Sequence, residues 1–225
     1  MVKNHNKRIA VSKTWDIKKK EETFIAKPRG GHSKDFGFPV VVALRDLLNL
    51  AKTRKEVRDI LMNQEVLLNG VKVKDHKASI GFMDVLTFPK LKKSYRITLT
   101  KRGKLTLVEA VKDSIKISKV IGKTANAKGF QLNLFGGSNV LIGETPLKVN
   151  DSVVYDFKEK KIVDTLKLEK GSTIILTGGK HIGTVATVEQ IDGEKLFLKE
   201  DKDIFETSKK HAYVVGKDKA YIKLD

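Results

Sequence analysis

The chain has 225 residues, enough for one large domain or two to four small ones, and 40% of them are apolar, which allows buried cores. Its 45 lysines and arginines against 27 acidic residues give a formal net charge of +18, which is typical of proteins that meet nucleic acid or an anionic membrane. The absence of cysteine excludes disulfides, thiol catalysis and cysteine zinc sites, and it fits a cytosolic protein. No apolar run approaches the ~20 residues of a membrane span, and the N-terminus lacks the apolar stretch of a secretory signal.

The positive charge is concentrated toward the N-terminus. Residues 1–40, 41–104 and 105–168 carry net charges of +6, +9 and +3, whereas residues 169–225 are neutral. This gradient predicts a protein that places one side against a phosphate-rich surface. The plainer interpretation is lysines scattered over the surface for solubility.

Residues 1–40 show little hydrophobic periodicity and contain the triple lysine Lys18–Lys20 and the stretch "KPRGGH". A segment of this composition is predicted to be an extended basic arm that becomes ordered on a partner. Trp15, Phe24 and Phe36 favour a partner over a free solubilising tail.

Residues 41–104 are predicted to form a compact α/β unit. Pro39 suits the first turn of a helix, whose apolar positions at helical spacing are Val41, Leu44, Leu47, Leu48 and Ala51. A second helix is predicted after Thr53, which can form a capping box with Glu56. Its expected buried residues are Val57, Ile60 and Leu61, and its expected basic face holds Arg54, Lys55 and Arg58.

The stretch "VLLNGVKVKD" predicts a hairpin, because Asn69-Gly70 between two apolar runs is a strong signal for a tight turn. After the turn, Val71 and Val73 alternate with Lys72 and Lys74, so one apolar and one cationic face are expected. The next stretch, "GFMDVLTF", is predicted to be a mostly apolar strand.

From residue 95 onward the pattern has mainly period two. "YRITLT" and "LTLV" flank "KRGK", a predicted hairpin tip that bears Lys101, Arg102 and Lys104. "GFQLNLF" precedes a glycine turn at 136–137, and "VNDSVVYDF", "KIVDTLKL" and "STIILTGG" continue the series. Short strands with turns at this spacing predict small antiparallel barrels.

Motifs for catalysis are not found. Gly178 and Gly183 have the spacing of a phosphate-binding loop, but Thr184 and Val185 follow where lysine is required. The five histidines are too far apart for a local metal motif. The sequence therefore predicts no enzyme, no cofactor, no metal and no small-molecule substrate.

Two parts of the chain resemble known RNA-associated modules. The basic helix and hairpin unit resembles the αL RNA-binding fold, and "TIILTGGKHIGTVATVEQI", residues 173–191, resembles a KOW motif. With "GFMDV", "PLKVNDSV" and "AYVVG", their order along essentially the whole chain is similar to the small-subunit ribosomal protein family S4e of archaea and eukaryotes. KOW motifs usually carry glycine where Ala186 stands, and the end at Asp225 indicates the archaeal type.

The resemblance implies an α+β multidomain protein. Its expected parts are a basic N-terminal extension (1–40), an S-four-type (αL) RNA-binding α/β domain (41–104), a central antiparallel β domain (105–168) and a small KOW β-barrel (169–225). It also implies a structural constituent of the small ribosomal subunit in the cytoplasm, which binds ribosomal RNA through phosphates and touches neighbouring ribosomal proteins.

The expected RNA-binding residues are basic side chains of the first three segments together with the tip of the KOW loop. They are Lys3, Lys7, Arg8, Lys13, Lys18, Lys19, Lys20, Lys27, Arg29, Arg45, Arg54, Lys55, Arg58, Lys72, Lys74, Lys77, Lys101, Arg102, Lys104, Lys180 and His181. The residues expected to set backbone geometry are Asn69, Gly70, Gly178, Gly179 and Gly183.

Two other functions remain open from the sequence. An RNA-modifying enzyme can carry an αL fold, but only residues 105–168 would remain for its catalytic domain. A transcription elongation factor can use a KOW barrel at a polymerase, although the long basic segments at the front disfavour it.

Overall fold

The computed structural model describes residues 5–63, 65–127, 129–143, 146–200, 203–217 and 220–222, and it is mostly β-sheet with few helices. The chain divides into two compact units. Unit 1 comprises Met1–Thr98 and Lys104–Ser114, and unit 2 comprises Leu99–Gly103 and Ile115–Asp225. The four segments expected from the sequence stay a prediction, since one compact unit can hold more than one domain.

Unit 1 is built on three small antiparallel sheets. Strands β1 (Asn6–Lys7) and β2 (Phe24–Ile25) form one pair, and β3 (Gly37–Pro39) and β6 (Ser79–Gly81) form another. The third sheet has the order β5 (Val71–Lys72), β4 (Leu67–Leu68), β7 (Val85–Phe88), β8 (Lys93–Leu99) and β9 (Leu105–Glu109).

The first predicted helix is shorter than the spacing of its apolar residues suggests, and its second half has the wider π-helical geometry. It consists of α1 (Val40–Val42), which continues as a π-helical turn over Ala43–Leu47. The Leu48 N–H donates to the Ala43 carbonyl oxygen at 2.9 Å, the five-residue step of a π-turn.

The second helix, α2 (Arg54–Asn63), begins where the capping box predicts. The Glu56 N–H donates to Thr53 Oγ1 at 3.2 Å, and the Glu56 carboxylate accepts from the Lys52 N–H at 2.8 Å. The bond from the Lys52 N–H, and then one that the Thr53 hydroxyl donates to the Glu56 carboxylate at 2.9 Å, lower the pKa of Glu56. Within the described ranges, no helix is long and apolar enough to cross a bilayer.

The predicted hairpin joins β4 and β5, and both turn residues have the positive φ of a type I′ turn, 49° for Asn69 and 78° for Gly70. The expected apolar face holds only in part, since Val73 is buried but Val71 is 70% exposed. The stretch "GFMDVLTF" is not one strand. It is divided between β6 and β7 by a turn.

The predicted N-terminal arm differs from the structure, because residues 5–40 are folded into unit 1. Trp15 is buried, its indole N–H donates to the Lys34 carbonyl at 2.9 Å, and its ring lies edge-on to Phe38. The Leu105 N–H donates to the Thr14 carbonyl at 2.7 Å. Local periodicity could not show this, because the partners of Trp15 and Thr14 lie 19 or more residues further along the chain.

Arg8 is another internal residue of this segment, with a guanidinium that is almost fully buried. Its Nη2 lies 2.7 Å from Asp46 Oδ1, its Nε donates to the Lys18 carbonyl, and its Nη1 lies 3.4 Å from Glu22 Oε2. Carboxylates of its own chain therefore compensate the charge of Arg8. The Arg8 side chain, expected from the sequence to bind RNA, is therefore an internal group of unit 1.

Unit 2 contains two five-stranded antiparallel sheets. The first has the order β12 (Asn139–Ile142), β11 (Gly129–Leu134), β10 (Ile115–Asn126), β13 (Ser152–Asp156) and β14 (Lys161–Leu166). The second has the order β18 (Asp203–Ser208), β17 (Lys195–Glu200), β16 (Val185–Asp192), β15 (Thr173–Leu176) and β19 (Ala212–Gly216). Gly136 and Gly137 turn the chain after β11 with positive φ, as expected.

A buried lysine links the two sheets of unit 2. The Lys119 ammonium on β10 donates to the carbonyl oxygens of Lys209, Lys210 and Ala212 at 3.2, 2.9 and 2.7 Å. Burial lowers the pKa of Lys119 to about 8, so the group still carries its charge at neutral pH. The Tyr213 hydroxyl of β19 also donates to the Ile117 carbonyl at 2.7 Å.

Candidate nucleic-acid interface

Basic side chains of unit 1 surround an open groove of about 470 Å³, which we call the basic groove. Its lining residues come from three separate parts of the chain. They are Arg29, Arg54, Arg58, Met62, Lys74, Asp75, His76 and Lys77.

Helix α2 and the segment after β5 hold these cations in place. Arg54 and Arg58 lie one turn apart on α2, and each is three residues before a buried residue, Val57 or Leu61, that anchors the adjacent face of the helix. In the other wall, the Lys77 N–H donates to the Asp75 carboxylate at 2.9 Å and fixes a turn. The Arg29 N–H donates to the Lys77 carbonyl at 2.9 Å, which brings the N-terminal segment alongside.

The groove has a large excess of positive charge. Asp75 is the one carboxylate among its described lining residues, and it lies 3.1 Å from Arg29. The Lys77 backbone N–H, and then the Arg29 charge, lower the pKa of Asp75, which is therefore ionised at neutral pH. Four cations of the lining remain without a carboxylate from the groove to compensate them: Arg54, Arg58, Lys74 and Lys77.

A buried histidine forms part of the same wall. His76 Nδ1 lies 3.3 Å from Asp75 Oδ1, while its Nε2 has no hydrogen-bond partner in the described part of the chain. Burial, followed by the charges of Arg54 and Arg58, lowers the pKa of His76. The imidazole is therefore neutral at pH 7 in the free protein.

A second depression, which we call the aromatic pocket, has a volume of about 500 Å³ and shares Arg54 and Lys77 with the basic groove. Its other lining residues are His5, Phe24, Ile25, Ala26, Lys27, Val41 and Arg45. Both depressions suit an anionic ligand. No cluster of three metal-binding side chains occurs among the residues for which the structure gives positions.

The structure brings together seven of the expected RNA-binding residues, which line the basic groove, the aromatic pocket or both. They are Lys27, Arg29, Arg45, Arg54, Arg58, Lys74 and Lys77. Lys55 and Lys72 are exposed but line neither depression, and so are Lys7, Lys13, Lys20, Arg102 and Lys180. Lys3 lies outside the described residues.

Four other expected residues are engaged within their own unit. Lys18 pairs with Glu21 at 3.1 Å, and the Lys19 ammonium donates to the Val11 carbonyl at 3.1 Å. Lys101 pairs with Glu200 at 3.0 Å, and Lys104 pairs with Asp16 at 2.5 Å. A phosphate would have to compete with these partners.

The three glycines of the KOW-like loop have different surroundings. A side chain at Gly178 would overlap the His211 ring, and one at Gly183, where φ is +79°, would overlap the Thr100 carbonyl oxygen. Only at Gly179 would it enter open space. Two of these glycines thus serve packing inside unit 2. At the loop tip, the His181 ring stacks on Phe205 with centroids 4.2 Å apart.

Two residues that line these depressions, His76 and Phe24, were not among the binding residues expected from the sequence. His76 stands between Lys74 and Lys77, and this position was its only signal. Phe24 was singled out as an aromatic residue in a basic segment, but nothing local showed that it would share a pocket with Arg54 and Lys77.

Comparison with known proteins agrees with this architecture. The model of the family described as "Ribosomal family S4e" matches residues 91–162. A small ribosomal subunit protein eS4 of Methanosphaera stadtmanae is 36% identical and covers 99% of this chain and 96% of its own length. The protein of the same name from Archaeoglobus fulgidus is 38% identical, over 84% of this chain and 80% of its own length.

A solved structure gives the same result at the level of the fold. The crystal structure of the 30S ribosomal protein S4e from Thermoplasma acidophilum superposes with a TM-score of 0.70 and 27% sequence identity. The match covers 80% of this chain and 95% of that one. The similarity in sequence and structure therefore places this chain in the S4e family of ribosomal proteins.

Proposed function

We propose that this protein is a structural constituent of the small ribosomal subunit in the cytoplasm and binds ribosomal RNA through the basic groove. The relatives named as small ribosomal subunit proteins support the first part. The second part rests on one observation, the convergence of Arg29, Arg54, Arg58, Lys74 and Lys77 around one groove. The protein is structural rather than catalytic, in agreement with its family.

The groove recognises RNA by charge and shape. Arginine can bind a phosphate through two parallel N–H···O bonds, so Arg54 and Arg58 on a rigid helix set the register of the backbone. Such contacts position the protein and carry little sequence information. Specificity then comes from the shape of the folded RNA, because side chains cannot read the deep major groove of an A-form helix.

The finer layout is also part of the proposal. Residues 41–104 act as an αL-type RNA-binding domain, with Asn69 and Gly70 setting the hairpin beside α2. Residues 105–168 form a central β domain, and residues 169–225 form a KOW-type barrel. Around Lys180 and His181, the barrel loop meets either RNA or a neighbouring ribosomal protein. The remaining exposed cations of the expected set add phosphate contacts around the groove.

Salt dependence tests the groove directly. Each phosphate neutralised contributes roughly 0.7–0.9 to the slope of log affinity against log salt concentration. In a filter-binding assay with small-subunit ribosomal RNA, replacing Arg54, Arg58 and Lys74 of the groove together with alanine should lower this slope by about 2. The matched control replaces Lys161, Lys167 and Lys170, three exposed lysines of unit 2, and should retain more of the slope. Equal slopes for both triple variants would refute the groove.

Sedimentation tests the assignment to the ribosome. The protein should sediment with small subunits through a wash at moderate salt concentration. Recovery of the protein with a polymerase and without ribosomes would instead support an elongation factor.

A further inference from the structure

The aromatic pocket has a composition that neither a bare phosphate site nor an apolar core requires. Phe24 lies at the end of the short β1–β2 sheet, opposite Lys7, and is 54% exposed. Its ring and that of His5 form a T-shaped pair, with centroids 5.2 Å apart and the rings nearly perpendicular. Phe24 is thus an exposed aromatic residue in the lining of the pocket.

Cations from four separate segments line the same pocket as this ring. Arg45 is already paired, since its Nη2 lies 3.3 Å from Glu22 and 3.1 Å from Asp46. No ion pair involving Lys27, Arg54 or Lys77 is found in the described part of the chain. Three uncompensated positive charges and an exposed aromatic ring therefore share one cavity of about 500 Å³, within the size range of small-ligand sites.

We propose that the aromatic pocket holds one unpaired nucleotide of the bound RNA, with its base stacked on Phe24 and its phosphate against Lys77 and Arg54. This inference rests on the proposed RNA-binding function and adds a preference for single-stranded RNA at this site. Unstacked bases commonly lie on aromatic side chains, and a positively charged surface follows the backbone beside them.

Two features favour a nucleotide over a protein partner. Lysine is depleted at the centre of protein–protein interfaces, whereas two lysines, Lys27 and Lys77, line this pocket together with the exposed ring. The pocket also adjoins the basic groove, because Arg54 and Lys77 line both. A strand with its phosphates in the groove can thus place the next base in the pocket.

The test uses the full chain and two probes, a single-stranded oligoribonucleotide that carries 2-aminopurine and a fully paired RNA duplex of the same length. Stacking of one base on an aromatic side chain corresponds to roughly 5- to 150-fold in affinity. We expect Phe24→Leu to lose about this factor for the single strand and less than about twofold for the duplex. Phe24→Trp should retain binding and quench the 2-aminopurine fluorescence.

The control is Val111→Ala, which changes another strongly exposed apolar residue of unit 1 and should leave both affinities unchanged. Equal losses for both probes in Phe24→Leu would show that Phe24 only supports the groove, and this would overturn the proposal. Unchanged affinity of Phe24→Leu for both probes would indicate that Phe24 contacts a protein neighbour instead of RNA. This result would also overturn the proposal. If the wild-type protein did not bind the duplex in a salt-dependent manner, the proposed function itself would be refuted.

Discussion

The His32 Nε2 atom lies 2.8 Å from Asp84 Oδ2, and both side chains are buried although 52 positions separate them in the sequence. The same carboxylate accepts the Gly81 N–H at 2.9 Å and the Asn69 side-chain N–H at 2.8 Å. One aspartate thus joins the N-terminal segment, the β6–β7 turn and the tip of the predicted hairpin.

Asp84→Asn should destabilise the protein because an amide cannot accept all three of these hydrogen bonds. We expect a loss of about 3 kcal/mol in the free energy of unfolding, measured by urea denaturation. Asp59→Asn, at an exposed carboxylate on α2, is the control and should change it by less than about 0.5 kcal/mol. Equal stability of the two variants would contradict a central role for Asp84.

His76 should make stability depend on pH. Its pKa is lower in the folded chain than the usual 6.5, through burial and then the charges of Arg54, Arg58 and Lys77, against the opposing charge of Asp75. The unfolded chain therefore binds more protons below pH 6.5, so the free energy of unfolding falls as pH falls through this range.

His76→Gln should weaken this dependence, and urea denaturation at pH about 7.5 and about 5.5 measures it. His5→Gln, at an exposed histidine, should keep the wild-type dependence. If His76→Gln lost as much stability on acidification as the wild type, other groups would be responsible.

Gly183 should tolerate alanine much less well than Gly179. Both have positive φ, +79° and +84°, which costs an L-residue roughly 1–2 kcal/mol. At Gly183 the new methyl group would also overlap the Thr100 carbonyl, whereas at Gly179 it would enter open space. In thermal denaturation, Gly183→Ala should therefore lower Tm well beyond Gly179→Ala. Similar Tm values for the two variants would mean that the backbone of residues 99–103 can move to accommodate the new methyl group.

Lys119→Met should loosen the link between the two sheets of unit 2. The thioether keeps the apolar stem but leaves three carbonyl oxygens without their donor, and we expect a loss of about 3 kcal/mol. Amide hydrogen exchange should show the loss at β10 and at residues 209–212. Lys161→Met, at an exposed position, serves as the comparison, and equal exchange in both variants would argue against the link.

Local signals in the sequence predicted the local structure of this chain well. The Asn69-Gly70 turn, the Thr53 cap of α2 and the glycine turn at 136–137 depend on residues that are close in sequence, and all three are confirmed. The burial of Val57 and Leu61 is confirmed for the same reason.

Features that depend on distant residues could not be predicted in this way. Arg8 has the composition of a surface cation, but Asp46, 38 positions later, receives it in the interior. Val71 follows the alternating pattern of its strand, yet β5 is at the edge of its sheet and leaves this side chain uncovered. Each cation of the basic groove was predicted individually as an RNA-binding residue. That these cations line one groove could be seen only in the folded structure.

The contact between Thr14 and Leu105 means that the N-terminal segment can complete its packing only after residue 105 has been synthesised. Trp15 is the single tryptophan, and the strand beside it is made about 90 residues later. At elongation rates of roughly 5–20 residues per second, its final environment is absent for about 5–20 s. We expect nascent chains that end before residue 105 to show red-shifted tryptophan emission, and chains released after residue 114 to show the native spectrum. Until residue 105 has been synthesised, the N-terminal segment of the nascent chain lacks the strand that pairs with Trp15.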